Sequence, residues 1–139
     1  PHPEGLGARL AMETALERAG LAPDAVNYIN LHGTASQKND EVEAHVVAKL
    51  FPATTRASST KGWTGHALGA AGILESAITF AAMETGIAPG TLNALELDPS
   101  CGPQIRVLNE AADIRVALSN SFGFGGSNCS LLFGRDQDA

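Results

Sequence analysis

The chain has 139 residues, 44% hydrophobic and 17% charged, with a formal net charge of -6. That length suits one soluble domain with a core of its own. The acidic balance, with only nine Lys and Arg and no run of them, excludes a general nucleic-acid surface.

The first predicted element is a helix over GLGARLAMETALERAG, rich in Ala, Leu and Glu, with Gly20 as its C-terminal stop. Ala22-Pro23-Asp24 turns the chain into AVNYINL, a strand candidate that delivers His32 and Gly33 at its end. A polar loop, TASQKND, leads to a second helix over EVEAHVVAKLF, with Val42, Val46 and Leu50 at four-residue steps. Asp40 is placed to cap it, and Glu43 lies three residues on, as a capping box requires. RASST is a short strand candidate running into Lys61. A glycine-bearing loop then opens a long Ala-rich helix that stops near Gly86 and Pro89. The stretch from Ala67 to Thr85 is mostly small and apolar, but Glu75 sits in its middle. A buried core helix is expected there and not a membrane span. After the loop APGTLNALELDPSCGP come three extended segments, IRVL, IRVALS and CSLLF, with NSFGFGGSN between the last two. The order α-β-α-β-α-β-β-β predicts an α/β domain, a sheet with helices on its faces.

Three loops, LHGTAS, STKGWTGH and NSFGFGG, each follow a predicted strand. Ligands collect at the carboxyl ends of strands in such sheets, so the three loops are expected to converge on one edge. His32 and His66 then come to the same place. His66 is expected at the start of the long helix, where the dipole disfavours imidazolium and a neutral ring can donate to a developing oxyanion. Read alone, each is equally a surface histidine. His2 and His45 have no such context and read as surface residues. Lys61 reads as a buried ion-pair partner for Glu43 or Asp40, or as a solvated lysine; capping alone explains the two acids. In NSFGFGGSN the glycines let backbone N–H groups approach a ligand, which suits an oxyanion hole. A strand and not a helix follows, which excludes a dinucleotide fingerprint, and the remaining alternative is a glycine-rich hairpin turn.

The pentamer GHALG, residues 65–69, is one residue away from the G-x-S-x-G of a serine hydrolase, and Ala67 removes that route. The cysteines do not replace it. Cys129 falls in a predicted strand and Cys101 in a Pro-flanked loop, neither an environment that lowers a thiol pKa. The two give neither a disulfide framework nor metal-ligand spacing, and they fit a reduced, cytoplasmic setting. The chain thus presents acid/base and oxyanion groups without a nucleophile. It opens on Pro1 and not on Met, with no signal peptide read there, and we expect it to be a piece of a longer protein.

The trio NLHGTASQKNDEVE, STKGWTGHALGAAG and NSFGFGGSN resembles the C-terminal half of the β-ketoacyl-acyl carrier protein synthases. It is similar in particular to the elongating Cys-His-His type. The resemblance runs from about Gly5 to Gly134 and rests on three motifs in the right order. It implies a thiolase-like fold, with residues 1–139 as the C-terminal half: a mixed sheet with helices on its faces. It implies that the catalytic cysteine lies in an N-terminal half outside this sequence, so the isolated chain is expected to be inactive.

By the same resemblance His32 and His66 are the two catalytic histidines. Lys61 supports them electrostatically, Glu43 is its ion-pair partner, and Asp40 is a nearby acid. Thr34 and Ser36 are the hydroxyl pair that holds the pantetheine arm. Ser36, where Thr is commoner, and Ala35, where Ser or Gly is usual, are small departures. Phe122 and Phe124 are gating phenylalanines, and the Phe124 N–H is an oxyanion donor. The implied partner is an acyl carrier protein bearing malonyl or acyl groups, with a homodimer when complete and no cofactor, metal, nucleic acid or membrane. Thiolases, which carry a cysteine in the glycine-rich loop, are disfavoured by NSFGFGGSN. Polyketide ketosynthases, a non-catalytic chain-length-determining partner, and a carrier-binding or dimerisation module remain as alternatives.

Overall fold

A computed structural model describes residues 2–136. Its main sheet has four strands in the order β2-β1-β5-β6: β2 (Arg56–Ser58), β1 (Tyr28–Asn30), β5 (Val116–Phe122) and β6 (Asn128–Gly134). The pairs β1–β2 and β1–β5 are parallel and β5–β6 is antiparallel, so the sheet is mixed as expected. Helices α1 (Leu6–Ala19) and α2 (Gln37–Leu50) cover one face, and α4 (Ala71–Thr85) covers the other. A one-turn helix, α3 (Lys61–Thr64), links β2 to the α4 approach. A separate two-stranded ribbon pairs β3 (Ile87–Ala88) with β4 (Glu110–Ala111).

The period-two alternation of strand side chains builds two cores. Ile29 and Leu118 join Met12, Leu16, Val46 and Val47 under α1 and α2. Tyr28 and Ala117, one residue earlier on each strand, join Ala82 and Met83 of α4 on the opposite face. The α4 face also has a polar layer: the Tyr28 hydroxyl bonds the Ser58 hydroxyl at 3.1 Å, and Asn30 Nδ2 donates to Thr60 Oγ1 at 3.1 Å.

Helix ends fall where glycine allows them. Gly20 (φ 66°) closes α1 in the left-handed region, its N–H on Glu17 and Leu16 carbonyls, and Gly86 (φ 69°) closes α4. Several expectations are corrected. The second helix starts at Gln37, four residues before the predicted Glu41, because nothing in Gln-Lys-Asn-Asp opposes a first turn; Ser36 takes the N-cap place. The long helix starts at Ala71, since a 3-10 turn over Leu68–Ala70 intervenes, with Leu68 at φ 51°. The segment IRVL is not a strand. Only Ile105 bridges Ala57, and the Arg106 guanidinium is engaged by Glu110 at 3.1 Å. The ribbon strands β3 and β4 are elements that the sequence pattern did not suggest. No helix among the described residues is long and apolar enough to cross a membrane.

Candidate functional site

Strand β1 ends at Asn30, and two residues later the chain reaches His32, 8% exposed. Gly33 (φ 28°) lets the backbone pass close to β2: a Cβ there would meet the Ser59 Cβ at 2.5 Å, and the Ser59 hydroxyl donates to the Gly33 carbonyl at 2.6 Å. This holds the HGT turn against the end of β2. From the other side, β5 brings Phe122 up to the same edge. The rings of His32 and His66 meet edge to face with centroids 5.7 Å apart, and the Phe122 ring lies 5.6 Å from His32.

One cavity of about 490 Å³ receives most of the predicted site. His32, His66, Thr34, Ser36, Glu43, Phe122 and Phe124 all line it. So does His2, expected above to be a surface residue. Phe124 stands fully exposed at its lip, in a tight turn where Gly125 (φ 76°) and Gly126 (φ 85°) occupy the left-handed region. The Gly123 N–H closes that turn on the Ser127 carbonyl at 2.7 Å. The convergence of the three loops thus follows from the strand order: β2, β1 and β5 are parallel neighbours and release their loops at one edge.

Lys61 and the two acids are arranged differently from the expectation. Lys61 does not pair with Glu43. It pairs with Glu75 of α4, Nζ to Oε1 at 2.5 Å, and also donates to the His32 carbonyl at 2.7 Å. Lys61 is 9% and Glu75 1% exposed, so this is a buried ion pair fastened to the backbone of a site histidine. The reason is geometric: α3 points Lys61 toward the α4 face of the sheet, whereas α2 lies on the other face.

Glu43 is no capping-box residue either. It is 2% exposed and accepts from the His32 N–H (2.8 Å), the Gly33 N–H (2.9 Å) and Asn120 Nδ2 (3.2 Å). It therefore fixes the HGT backbone from below. Asp40, which is not the cap of α2, accepts the Thr34 N–H at 3.1 Å and steadies the next residue of the same turn. Glu75, Asn120 and Ser59 are the supporting groups that sequence reasoning missed. Glu75 had a signal, because a single carboxylate inside an apolar helix needs a cation.

The electrostatics follow from this packing. Burial, reinforced by the Lys61 cation and by His66, lowers the His32 imidazole to about 4, so it is neutral near neutral pH. Burial raises Glu43 to about 6 against the pull of its three donors. His66 is exposed, and the helix-dipole argument does not apply to it, since α4 begins five residues later. Its tautomer is set locally: the Leu68 N–H donates to Nδ1 at 3.2 Å, which leaves the proton of the neutral ring on Nε2. Two imidazoles in one cavity, each with an N–H to offer, can converge on an oxygen that gains negative charge.

Neither cysteine lines this cavity. Cys129 faces a separate groove between α1 and β6. Burial and the neighbouring Asp98 and Asp40 charges push the Cys101 thiol up, away from reactivity. The pentamer GHALG spans the C-cap of α3 and the 3-10 turn, not a strand-to-helix elbow. Among the described residues no group of three or more His, Cys, Asp and Glu could hold a metal ion.

The chain is similar to known proteins in both sequence and fold. Residues 1–95 match the family model described as the β-ketoacyl synthase C-terminal domain. The chain is 44% identical over 140 residues to the mitochondrial 3-oxoacyl-[acyl-carrier-protein] synthase of Arabidopsis thaliana, with 96% of this chain and 30% of the relative covered. It is 42% identical over 140 residues to 3-oxoacyl-[acyl-carrier-protein] synthase 2 of Coxiella burnetii, with 97% and 34% covered. Among solved structures, a chain of the complex between the ketosynthase ApeO and its chain length factor ApeC from Xenorhabdus doucetiae superposes with a TM-score of 0.92 at 37% identity. That match covers 98% of this chain and 35% of the matched chain. The chain spans about a third of the length of the curated relatives it matches. With that fold, and with the motifs placed around one cavity, the chain belongs to the β-ketoacyl synthase family and corresponds to its C-terminal domain.

Proposed function

We propose that this chain is the histidine-bearing part of a β-ketoacyl-acyl carrier protein synthase. The complete enzyme condenses an acyl thioester with a malonyl thioester held on a carrier protein. The observation that carries the reading is the pair of imidazoles, His32 and His66, 5.7 Å apart in one cavity beside a glycine-rich turn.

The chemistry divides as follows. The acyl group is first carried as a thioester on a cysteine supplied by the sequence that completes this chain, because Cys101 and Cys129 lie away from the cavity. The malonyl thioester then enters, its pantetheine arm along Thr34 and Ser36. Its carbonyl oxygen accepts hydrogen bonds from His32 and His66. The C–CO₂ bond breaks, carbon dioxide leaves, and its electron pair forms an enolate whose charge sits on that oxygen. The enolate carbon attacks the acyl carbonyl, with the Phe124 N–H as a donor to the oxygen of that group. The C–S bond breaks, giving the β-ketoacyl thioester and the free thiolate. Donors fixed before the reaction stabilise the enolate more than the starting thioester, which is what lowers the barrier.

The remaining residues hold the donors in place. The Lys61 cation favours a neutral His32 and grips its carbonyl, and Glu43 holds the N–H groups of the same turn. Phe122 flanks His32, and Phe124 at the lip is suited to gate entry. The complete enzyme is a homodimer by family resemblance, and the two free cysteines of this chain suit a reducing compartment such as the cytoplasm.

The test is His66→Ala in the complete enzyme. Loss of one such donor lowers kcat for malonyl decarboxylation and condensation by about 10²–10³, while acyl transfer to the cysteine persists. Near-normal decarboxylation in the variant would remove His66 from this role.

A further inference from the structure

We propose that Lys38 anchors the phosphate of the pantetheine arm at the mouth of the cavity, an assignment that rests on the condensing-enzyme reading above. Along the wall, His32, Thr34, Ser36 and Lys38 occupy every second position, and all four line the same cavity. Their burial falls in chain order. His32 is buried, Thr34 half-buried, and Ser36 and Lys38 exposed. One strip of polypeptide therefore leads from the reacting imidazole on the floor, past two hydroxyls, to a cation at the rim. A phosphopantetheine thioester has the same order of groups: thioester, two amides, phosphodiester.

The individual groups are available for that use. Ser36 holds the N-cap place of α2, yet its hydroxyl makes no capping bond, so it is free for a ligand. Lys38 is the one Lys or Arg lining the cavity among the described residues. It makes no ion pair or side-chain hydrogen bond among the described residues. The one carboxylate on the lining, Glu43, is buried and taken up by two backbone N–H groups and Asn120, so it does not neutralise the rim. In a chain of net charge -6, an unpaired cation at the mouth of the catalytic cavity selects for a dianionic or monoanionic phosphate.

The test is calorimetric titration of the complete enzyme with pantetheine and with 4'-phosphopantetheine, each capped as a non-reactive thioether. The wild type is expected to prefer the phosphorylated compound. Lys38→Ala lowers that preference about tenfold, as for one exposed charge-assisted contact. Lys38→Arg retains it, and added salt erodes it in the wild type more than in Lys38→Ala. An unchanged preference in Lys38→Ala, or an equal loss of affinity for both compounds, overturns the assignment. So does a Lys38→Ala defect seen only with the intact carrier protein, which would place the cation against acidic side chains of the carrier. Condensation by a wild type that shows no phosphate preference removes Lys38 alone. A wild type without condensing activity, or one unaffected by His66→Ala, removes the underlying reading.

Discussion

His32 and Glu43 touch through one hydrogen bond, yet burial moves their titrations in opposite directions. Glu43 accepts the His32 N–H at 2.8 Å, while the imidazole falls to about 4 and the carboxyl rises to about 6. The consequences for stability have opposite signs. Between about 6.5 and 4 the unfolded chain binds a proton at His32 that the folded chain refuses, so stability falls on acidification. Between about 6 and 4.5 the folded chain takes up a proton at Glu43 before the unfolded chain does, so stability rises on acidification and offsets part of that loss. Glu43→Gln abolishes the offset. Chemical denaturation from pH 6.5 down to 4.5 should therefore show a steeper loss of stability in Glu43→Gln than in the wild type, whatever the difference in their absolute stabilities. Equal slopes would mean that Glu43 titrates as an ordinary surface acid. The sequence identified both residues but not their relation, because a strand end and a helix brought together by the sheet leave no mark in local spacing.

At the level of elements, the Lys61–Glu75 pair fastens α3 to α4 and, through the His32 carbonyl, to the end of β1. Removing one member leaves a buried charge unmatched, at a cost of about 3–5 kcal/mol. Replacing both with apolar side chains of similar size avoids that cost. Lys61→Met and Glu75→Leu are each expected to be strongly destabilising, and the double variant to recover most of the loss in urea melts. A double variant as unstable as the sum of the singles would mean that the two groups act independently. The double variant still lacks the cation that lowers His32, so the His32 imidazole should titrate at higher pH in it by proton NMR. The motif order and glycine stops made α1, the end of α4, the first half of β5 and β6 legible, since each carries its own periodicity or cap, whereas Asn120–Phe122, expected in the glycine-rich loop, continue β5 paired with β6. What was not legible was choice of partner. Lys61 has acids in both α2 and α4, and only the placement of those helices on opposite faces of the sheet decides between them.

For the whole molecule, the three-layer arrangement accounts for one side of α4 only. Its inner side buries Glu75, Ser76, Thr79, Ala82 and Met83 against the sheet. Its outer side is apolar, with Ile73, Ala77 and Phe80 exposed at helical spacing. An apolar stripe on the outer side of a helix is built to be covered there as well. The mostly small and apolar residues of AGILESAITFAAMET announced a buried helix in the sequence, but not that the sheet would cover only half of it. Under the proposed function the remainder of the synthase provides the cover, and the 139-residue chain expressed alone should self-associate through this face. Ile73→Lys combined with Ala77→Glu leaves Phe80 on its contact with Phe133 (ring centroids 4.6 Å) and breaks the apolar stripe at two exposed positions. Sedimentation should show the wild-type chain as an associating species and this variant as a monomer with the same helical circular dichroism. A monomeric wild type at the same concentrations would show that the outer side of α4 is tolerated in water and needs no further chain to cover it.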